Sequence, residues 1–199
     1  VARSTDEGKT FAREKRAFGD ATGACGCCGM KAFADSKGNL YALDRSAKES
    51  VHRDTYLLAS ADKGATFRGD KLHEWNVDAC MMSTAALGEA EGSALAAWET
   101  EEQVYWARID RKTGKHTPPV ASPGTAKLRK HPAVAGNSHG ETILVWTEGM
   151  GWKRGGLLAW QVFDAEGKPT TEKGRADGVP VWSLVTVFTR PEGGFTILY

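Results

Sequence analysis

Ser60-Ala61-Asp62-Lys63-Gly64-Ala65-Thr66-Phe67 matches Ser4-Thr5-Asp6-Glu7-Gly8-Lys9-Thr10-Phe11 at five of eight positions, and both read Ser-x-Asp-x-Gly-x-Thr-Phe. The residue types suit a tight β-turn. The Asp carboxylate can accept backbone N–H bonds across the bend, Gly supplies a positive φ, and Phe can tuck under a neighbouring strand. Each copy is therefore expected at a hairpin tip, with Ser4, Asp6, Gly8 and Phe11 in the first and Ser60, Asp62, Gly64 and Phe67 in the second playing structural parts.

From these two turns a period extends along the chain. With the turn glycine as phase marker, Gly8, Gly64, Gly114 and Gly167 follow at intervals of 56, 50 and 53 residues; around the last two only the Asp (Asp110, Asp164) and the Gly survive. A second series, Gly38, Gly92, Gly140 and Gly193, runs at 54, 48 and 53. Two series with one period predict a repeated four-stranded unit made of two hairpins. The segments between alternate as strands do: 30–34, 40–43, 55–60 and from 66; then 83–87, 94–98, 104–109 and near 117; then 133–135, 142–146, 157–163 and near 169. The N-terminus adds only a second hairpin, and 182–188 with 195–199 only a first one. Three whole units thus stand between two halves, and no segment holds a helical period for long.

The octapeptides resemble the Asp-box, or BNR repeat, of sialidase-like β-propellers, where the box occupies the turn between the third and fourth strands of a blade. The resemblance implies an all-β propeller of four-stranded antiparallel blades, with residues 1–199 a single domain. The two half blades could pair to close a ring of four; the preferred reading is part of a six-bladed propeller, since sialidase domains are much longer. It also implies a sialidase-like (exo-α-sialidase, neuraminidase) glycoside hydrolase or a glycan-recognising relative, with no cofactor required. Asp-boxes also occur in propellers that only bind, so the alternative is a non-catalytic propeller whose Cys-rich mouth holds metal or is stapled by disulfides. Sialidases bind substrate with three arginines, ionise a Tyr through a Glu and use an Asp as acid; the family's early Arg-Ile-Pro motif is absent from this chain, and Tyr199 carries no motif that marks it as the nucleophile.

Composition narrows the partners. Lys and Arg number 26 against 25 Asp and Glu, a formal charge of +1, so no bulk attraction to nucleic acid or anionic membrane follows. Apolar runs such as 142–146 reach only strand length and cannot span a bilayer. The chain opens Val1-Ala2-Arg3-Ser4 with neither Met nor an apolar leader, which points to a processed or truncated start and, with the resemblance, to a secreted or periplasmic location.

In a four-stranded antiparallel blade the hairpin turns share one face. The second-to-third strand loops and the crossings between blades share the other, where function is expected. The crossings are 19–29, 70–81, 121–131 and 174–181, and the inner loops are 44–54, 99–102 and 147–155. All four cysteines, Cys25, Cys27, Cys28 and Cys80, fall on this face, and the 52 residues between Cys28 and Cys80 put them at like places in adjacent units. They could form disulfides, most simply Cys27 or Cys28 with Cys80, among three complete pairings. They could instead bind copper(I) or zinc, with Met30, Met81 and Met82 adding thioethers and His131 heading the next first strand, or stand as free thiols.

Arg45, Glu49, His52, Arg53 and Asp54 share one inner loop, and His73, Glu74 and Trp75 the adjoining crossing. A rigidly held arginine suits a carboxylate, as on sialic acid, and an adjacent acid suits proton transfer, so Arg45, Arg53, Glu49 and Asp54 are the catalytic candidates. His52, His73, Glu74 and Trp75, with Glu148, Trp152 and Arg154 of the Gly-rich loop 148–156, are the substrate-binding candidates, Trp152 as a stacking face for a sugar. The plainer reading of each is a solvated loop with local ion pairs. The expected partner is a glycan or other small polar ligand at the mouth.

Overall fold

The computed structural model describes residues 1–49 and 51–199. Among the described residues the regular structure is all strand. Strands β1 (Lys31–Ala34), β2 (Leu40–Arg45), β3 (Thr55–Ser60) and β4 (Arg68–His73) form one antiparallel meander. Strands β5 (Ala86–Ala90), β6 (Ser93–Thr100), β7 (Gln103–Asp110) and β8 (Val120–Ala121) form a second. A third contains β9 (Arg129–Gly136), β10 (Thr142–Glu148), β11 (Gly156–Phe163) and β12 (Pro169–Val179), and β13 (Thr186–Thr189) with β14 (Phe195–Leu198) make a final hairpin.

The sheets stack face to face, which explains why the middle strands are apolar on both sides. Successive side chains of β6 point in opposite directions. Ala94, Ala96 and Trp98 join Tyr41, Leu43, Leu57 and Ala59 of the first sheet, whereas Leu95 and Ala97 join Val134, Leu144 and Trp146 of the third. In β10, Ile143 and Val145 turn the other way, onto Val187, Phe195 and Ile197 of the last hairpin. The first strands approach most closely: a Cβ on Gly88 of β5 would lie 2.6 Å from the Val134 carbonyl of β9, and one on Gly136 would lie 2.4 Å from Ala90. The first strands of the second and third sheets are therefore in direct backbone contact.

Several boundaries differ from expectation: β9 starts at Arg129 rather than 133, inside the expected crossing 121–131, and β13 starts at Thr186 rather than 182. β5 begins at Ala86 rather than 83, because the two-residue turn Glu91-Gly92 pairs Ala90 with Ser93 and fixes the register from that end. β12 continues to Val179 through the expected crossing 174–181, since Gly174, opposite Trp160, leaves room for the indole to lie across the edge strand. The N-terminal arm has no strand; Val1 and Lys15 exchange backbone bonds of 2.6 and 2.8 Å, but the hairpin joins no third strand. It is pinned to the first sheet by Phe18, which packs on Gly69 and lies 6.0 Å from the Tyr56 ring. The outer faces of the stack remain apolar: Leu40, Ala42, Leu58 and Phe67 line one cavity of about 860 Å³, and Phe188 and Leu198 are exposed at the other end.

Candidate functional site

The two octapeptides adopt the same hydrogen-bonded cage. Asp6 Oδ1 accepts from Ser4 Oγ (2.7 Å) and the Thr10 amide (2.9 Å), while its Oδ2 accepts from Thr10 Oγ1 (2.6 Å). Asp62 repeats all three bonds with Ser60 and Thr66 at the same distances. The Thr hydroxyl first, then the Thr amide and the Ser hydroxyl, hold each carboxyl down at about 2. Reduced versions close three of the other turns: Asp35 and Asp164 each accept from the amides two and four residues on, and Asn137 does so through its amide oxygen. All eight phase-marker glycines have positive φ, between 67° and 90°. Arg111 joins Asp35 to Glu89, and Arg108 donates to the carbonyls of Gly140 and Asp164, so this face is laced from sheet to sheet.

On the opposite face the backbone repeats while the side chains do not. Gly29, Met82, His131 and Trp182 follow at intervals of 53, 49 and 51 and all have positive φ (66°, 45°, 51° and 64°). Such a conformation is unusual for the last three, and strain of this kind collects at functional sites. At His131 the cause is visible. Val145 pairs with Ala133 and Thr147 with Lys130, so His131 and Pro132 together face Trp146 as a β-bulge. The bulge turns the imidazole into a cleft of about 110 Å³ with Met82, Met150, Trp152 and Trp182. The two indoles meet edge to face at 4.9 Å and are 66% and 62% exposed. His131 Nδ1 lies 3.2 Å from Thr84 Oγ1, and burial, then the Lys130 charge, holds its pKa below the ordinary value. Burial thus biases the imidazole toward its neutral form, beside two aromatic faces.

The first and second crossings come together, but the sulfurs grouped with Cys80 are those of Cys25 and Cys27 rather than that of Cys28, the cysteine one period away. Cys25 Sγ lies 3.2 Å from Cys27 Sγ and 3.4 Å from Cys28 Sγ, and the sulfurs of Cys25, Cys27 and Cys80 all lie within 4.8 Å of one another. This cluster could hold a metal ion. All four are free thiols, and the expected disulfides to Cys80 are not formed. Hydrogen bonding to Cys80 pushes the Cys27 thiol up to about 12; burial pushes Cys28 up. Burial pushes Cys25 up too, but hydrogen bonds from Cys27 and Cys28 overcome it and leave that thiol below its ordinary value. His131 is outside the cluster, across Thr84 in the aromatic cleft.

The loop 44–54, which includes the undescribed Ser50, is an interlocked support. Arg45 is 6% exposed, stacks over Trp75 at 5.1 Å, and donates to the carbonyls of Arg53 and Glu99. Asp54 is buried, accepts from the Trp75 amide at 3.0 Å and pairs with Lys71 at 3.3 Å. Arg53 donates to the Ala79 carbonyl, His52 contacts Asn76 at 2.6 Å, Glu74 pairs with Lys71, and Glu49 is exposed beside Lys48 and His52. His73 packs on Tyr105 at 4.5 Å and accepts from Trp98 Nε1, with its pKa lowered by burial. Arg154 donates to the Gly149 carbonyl and shapes the loop that carries Trp152.

The periodicity did not single out Arg129, Arg175 or Trp182. Glu148 lies buried between the two arginines, accepting from Arg129 Nε at 3.1 Å, from Arg175 Nη2 and from Trp146 Nε1 at 2.9 Å. Arg129 also donates to Gln103, Ser122 and the Pro123 carbonyl, so every guanidinium nitrogen is used. A Glu and an Arg at opposite ends of paired strands β10 and β9 was the available signal: Glu148 and Arg129 are register partners.

No protein-family model matches the chain, and no curated protein is significantly similar in sequence. Among solved structures, it is similar to an α-L-arabinanase of Penicillium chrysogenum complexed with arabinobiose (TM-score 0.62, 15% identity, covering 99% of this chain and 65% of that one). It is also similar to the K499G mutant of the NanB sialidase from Streptococcus pneumoniae (TM-score 0.60, 13% identity, 98% and 31% covered). A third is the GH93 α-L-arabinofuranosidase of Fusarium graminearum with arabinobiose (TM-score 0.55, 16% identity, 99% and 65% covered). The chain thus spans less than two thirds of each. At these identities the likeness is one of fold, the sheet stack of propeller glycoside hydrolases.

Proposed function

We propose that this chain is an arc of a sialidase-like, Asp-box propeller that recognises a glycan on its loop face, with a sugar ring seated on the exposed indole faces of Trp152 and Trp182. The carrying observation is the cleft itself: two exposed indoles meeting edge to face beside an imidazole, on a backbone held left-handed at Met82, His131 and Trp182. Aromatic faces pack against the apolar C–H faces of a sugar, and His131 supplies a hydrogen-bonding edge. The apolar outer faces at Phe67 and Phe188 fit further blades on either side, as in a six-bladed ring, and an extracytoplasmic location accords with such a ligand.

Recognition is favoured over hydrolysis because Arg45, the leading catalytic candidate, is already committed to two backbone carbonyls. The test is titration of arabinobiose and a sialyl-lactose against the chain, followed by indole fluorescence, with a fluorogenic sialoside and arabinoside assayed in parallel. Trp152→Ala should weaken binding about tenfold, the loss of roughly one stacking contact, without altering the fold. Affinity indifferent to Trp152 would remove the cleft from the reading. Turnover abolished by Arg45→Ala in a folded variant would replace recognition with catalysis.

A further inference from the structure

The first crossing carries Cys25-Gly26-Cys27-Cys28 and the second carries Cys80, followed by Met81 and Met82. Two local features converge these loops. The Cys25 amide donates to the Arg45 carbonyl at 2.8 Å and the Cys28 amide returns to the Cys25 carbonyl at 3.2 Å, so three sulfurs are folded into one turn at the head of β1. On the other side Arg53 Nε holds the Ala79 carbonyl at 3.2 Å, which presents Cys80 to that turn. Cys25 and Cys28 are buried, whereas Cys27 and Cys80 are exposed, so the cluster has an anchored half and a half open to solvent.

The sulfur spacing separates the chemistries. A disulfide needs about 2.05 Å between sulfurs. Sulfurs sharing a tetrahedral ion at ~2.3 Å each are about 3.8 Å apart. The observed separations are 3.2 and 3.4 Å from Cys25, with Cys80 inside 4.8 Å of both Cys25 and Cys27. We propose that Cys25, Cys27 and Cys80 bind one thiophilic d10 cation, Zn²⁺ or Cu⁺, which clamps the first crossing to the second. On binding, the ligating thiols release their protons to solvent and no electron moves, so the step needs no oxidant. Cys28, 3.4 Å from Cys25, backs the site and lines a small cavity with Arg45. The clamp fixes the segment that runs through Met81 into Met82, one wall of the aromatic cleft, yet the site is built from residues that no sugar contact requires.

The experiment uses the intact chain, reduced and loaded anaerobically with Zn²⁺ or with Cu⁺ in separate arms, then desalted. One equivalent of one ion per chain should remain, Co²⁺ should give the visible absorption of a tetrahedral thiolate site, and the thermal midpoint should rise on loading. Cys27→Ser and Cys80→Ser, chosen because both residues are exposed, should stay folded by circular dichroism and each lose more than the ~10–100-fold of affinity that an outer-shell partner carries. Retention of neither ion overturns the site, whether the sulfurs then titrate as thiols or as disulfides. Undiminished affinity in either variant overturns it equally. Both arms are independent of sugar binding, so the glycan reading stands or falls separately.

Discussion

The two faces of the sheet stack solve the same geometrical problem with opposite economies of sequence. On the hairpin face the side chains repeat: an Asp or Asn caps its own turn at Asp6, Asp35, Asp62, Asp110, Asn137 and Asp164, always through amides two to four residues ahead. On the loop face the backbone repeats and the side chains diverge, so that one left-handed position is filled by Gly29, Met82, His131 and Trp182 in turn. Glycine would be the strain-free residue at each. That three of the four are large side chains in a conformation that disfavours them says the side chains are kept for what they do there. The first junction carries thiols and the later two carry an aromatic cleft, on one scaffold.

If that contrast is right, the loop face must be anchored by something other than turn capping, and Glu148 is the anchor. Its carboxylate is buried between Arg129 and Arg175, and Arg129 in turn fixes Ser122 and Pro123. Glu148→Ala would leave the Arg129 guanidinium buried without its counter-charge, a loss of about 3–5 kcal/mol. Urea unfolding of the variant checks this. A loss below about 1 kcal/mol, the scale of an exposed pair, would mean that Arg129 finds water and that the face is held elsewhere.

The same contrast explains what could be read in advance. Turn chemistry is local, an Asp reaching amides no more than four residues away, so the glycine series gave the three sheets, their hairpins and the face on which each loop lies. The thiol cluster was legible in part: the 52-residue spacing of Cys28 and Cys80 brought the two crossings together, but the sulfurs that meet Cys80 are those of Cys25 and Cys27, because the turn 25–28 folds Cys28 behind Cys25. The aromatic cleft was only half legible. Trp152 stands out in a Gly-rich loop, but its partner Trp182 and the aim of His131 depend on a bulge opposite Trp146 that only sheet register defines. Arg45 was misleading for the converse reason. It looks like a solvent-facing loop arginine until Trp75, thirty residues on, folds over it and two carbonyls take its donors.

A smaller effect, of unusual sign, sharpens the claim about the left-handed positions. At Trp182 φ is 64° and the side chain is 62% exposed, so Trp182→Gly removes little buried surface and relieves a conformation that costs roughly 1–2 kcal/mol in a residue with a Cβ. Against that stands the edge contact with Trp152, worth about 0.5–1.5 kcal/mol. Stability should therefore stay level or rise by up to about 1 kcal/mol in urea unfolding, while sugar affinity falls, the pattern of a residue retained for function. A clear destabilisation would instead make Trp182 a packing residue.

The smallest effect concerns the two octapeptides, identical in their cages and unequal in their surroundings. Both carboxyls are held at about 2, below the ordinary 3.8. A carboxyl depressed in the folded state adds stability above its unfolded pKa and loses it as pH falls through the folded value, so each cage weakens between about pH 4 and 2. What differs is how far that loss travels. Asp62 closes the turn from β3 to β4 inside a sheet, and its Phe67 is part-buried near Leu40; Asp6 closes an arm without strands, whose Phe11 is 64% exposed. Asp62→Asn should therefore flatten the fall of the urea midpoint from about pH 4 to about pH 2.5, and Asp6→Asn should leave that slope nearly unchanged, because the arm opens without unfolding the sheets. Equal flattening by both would show the arm folding as one unit with the first sheet, and the capped turns would then be equivalent in strength as well as in geometry.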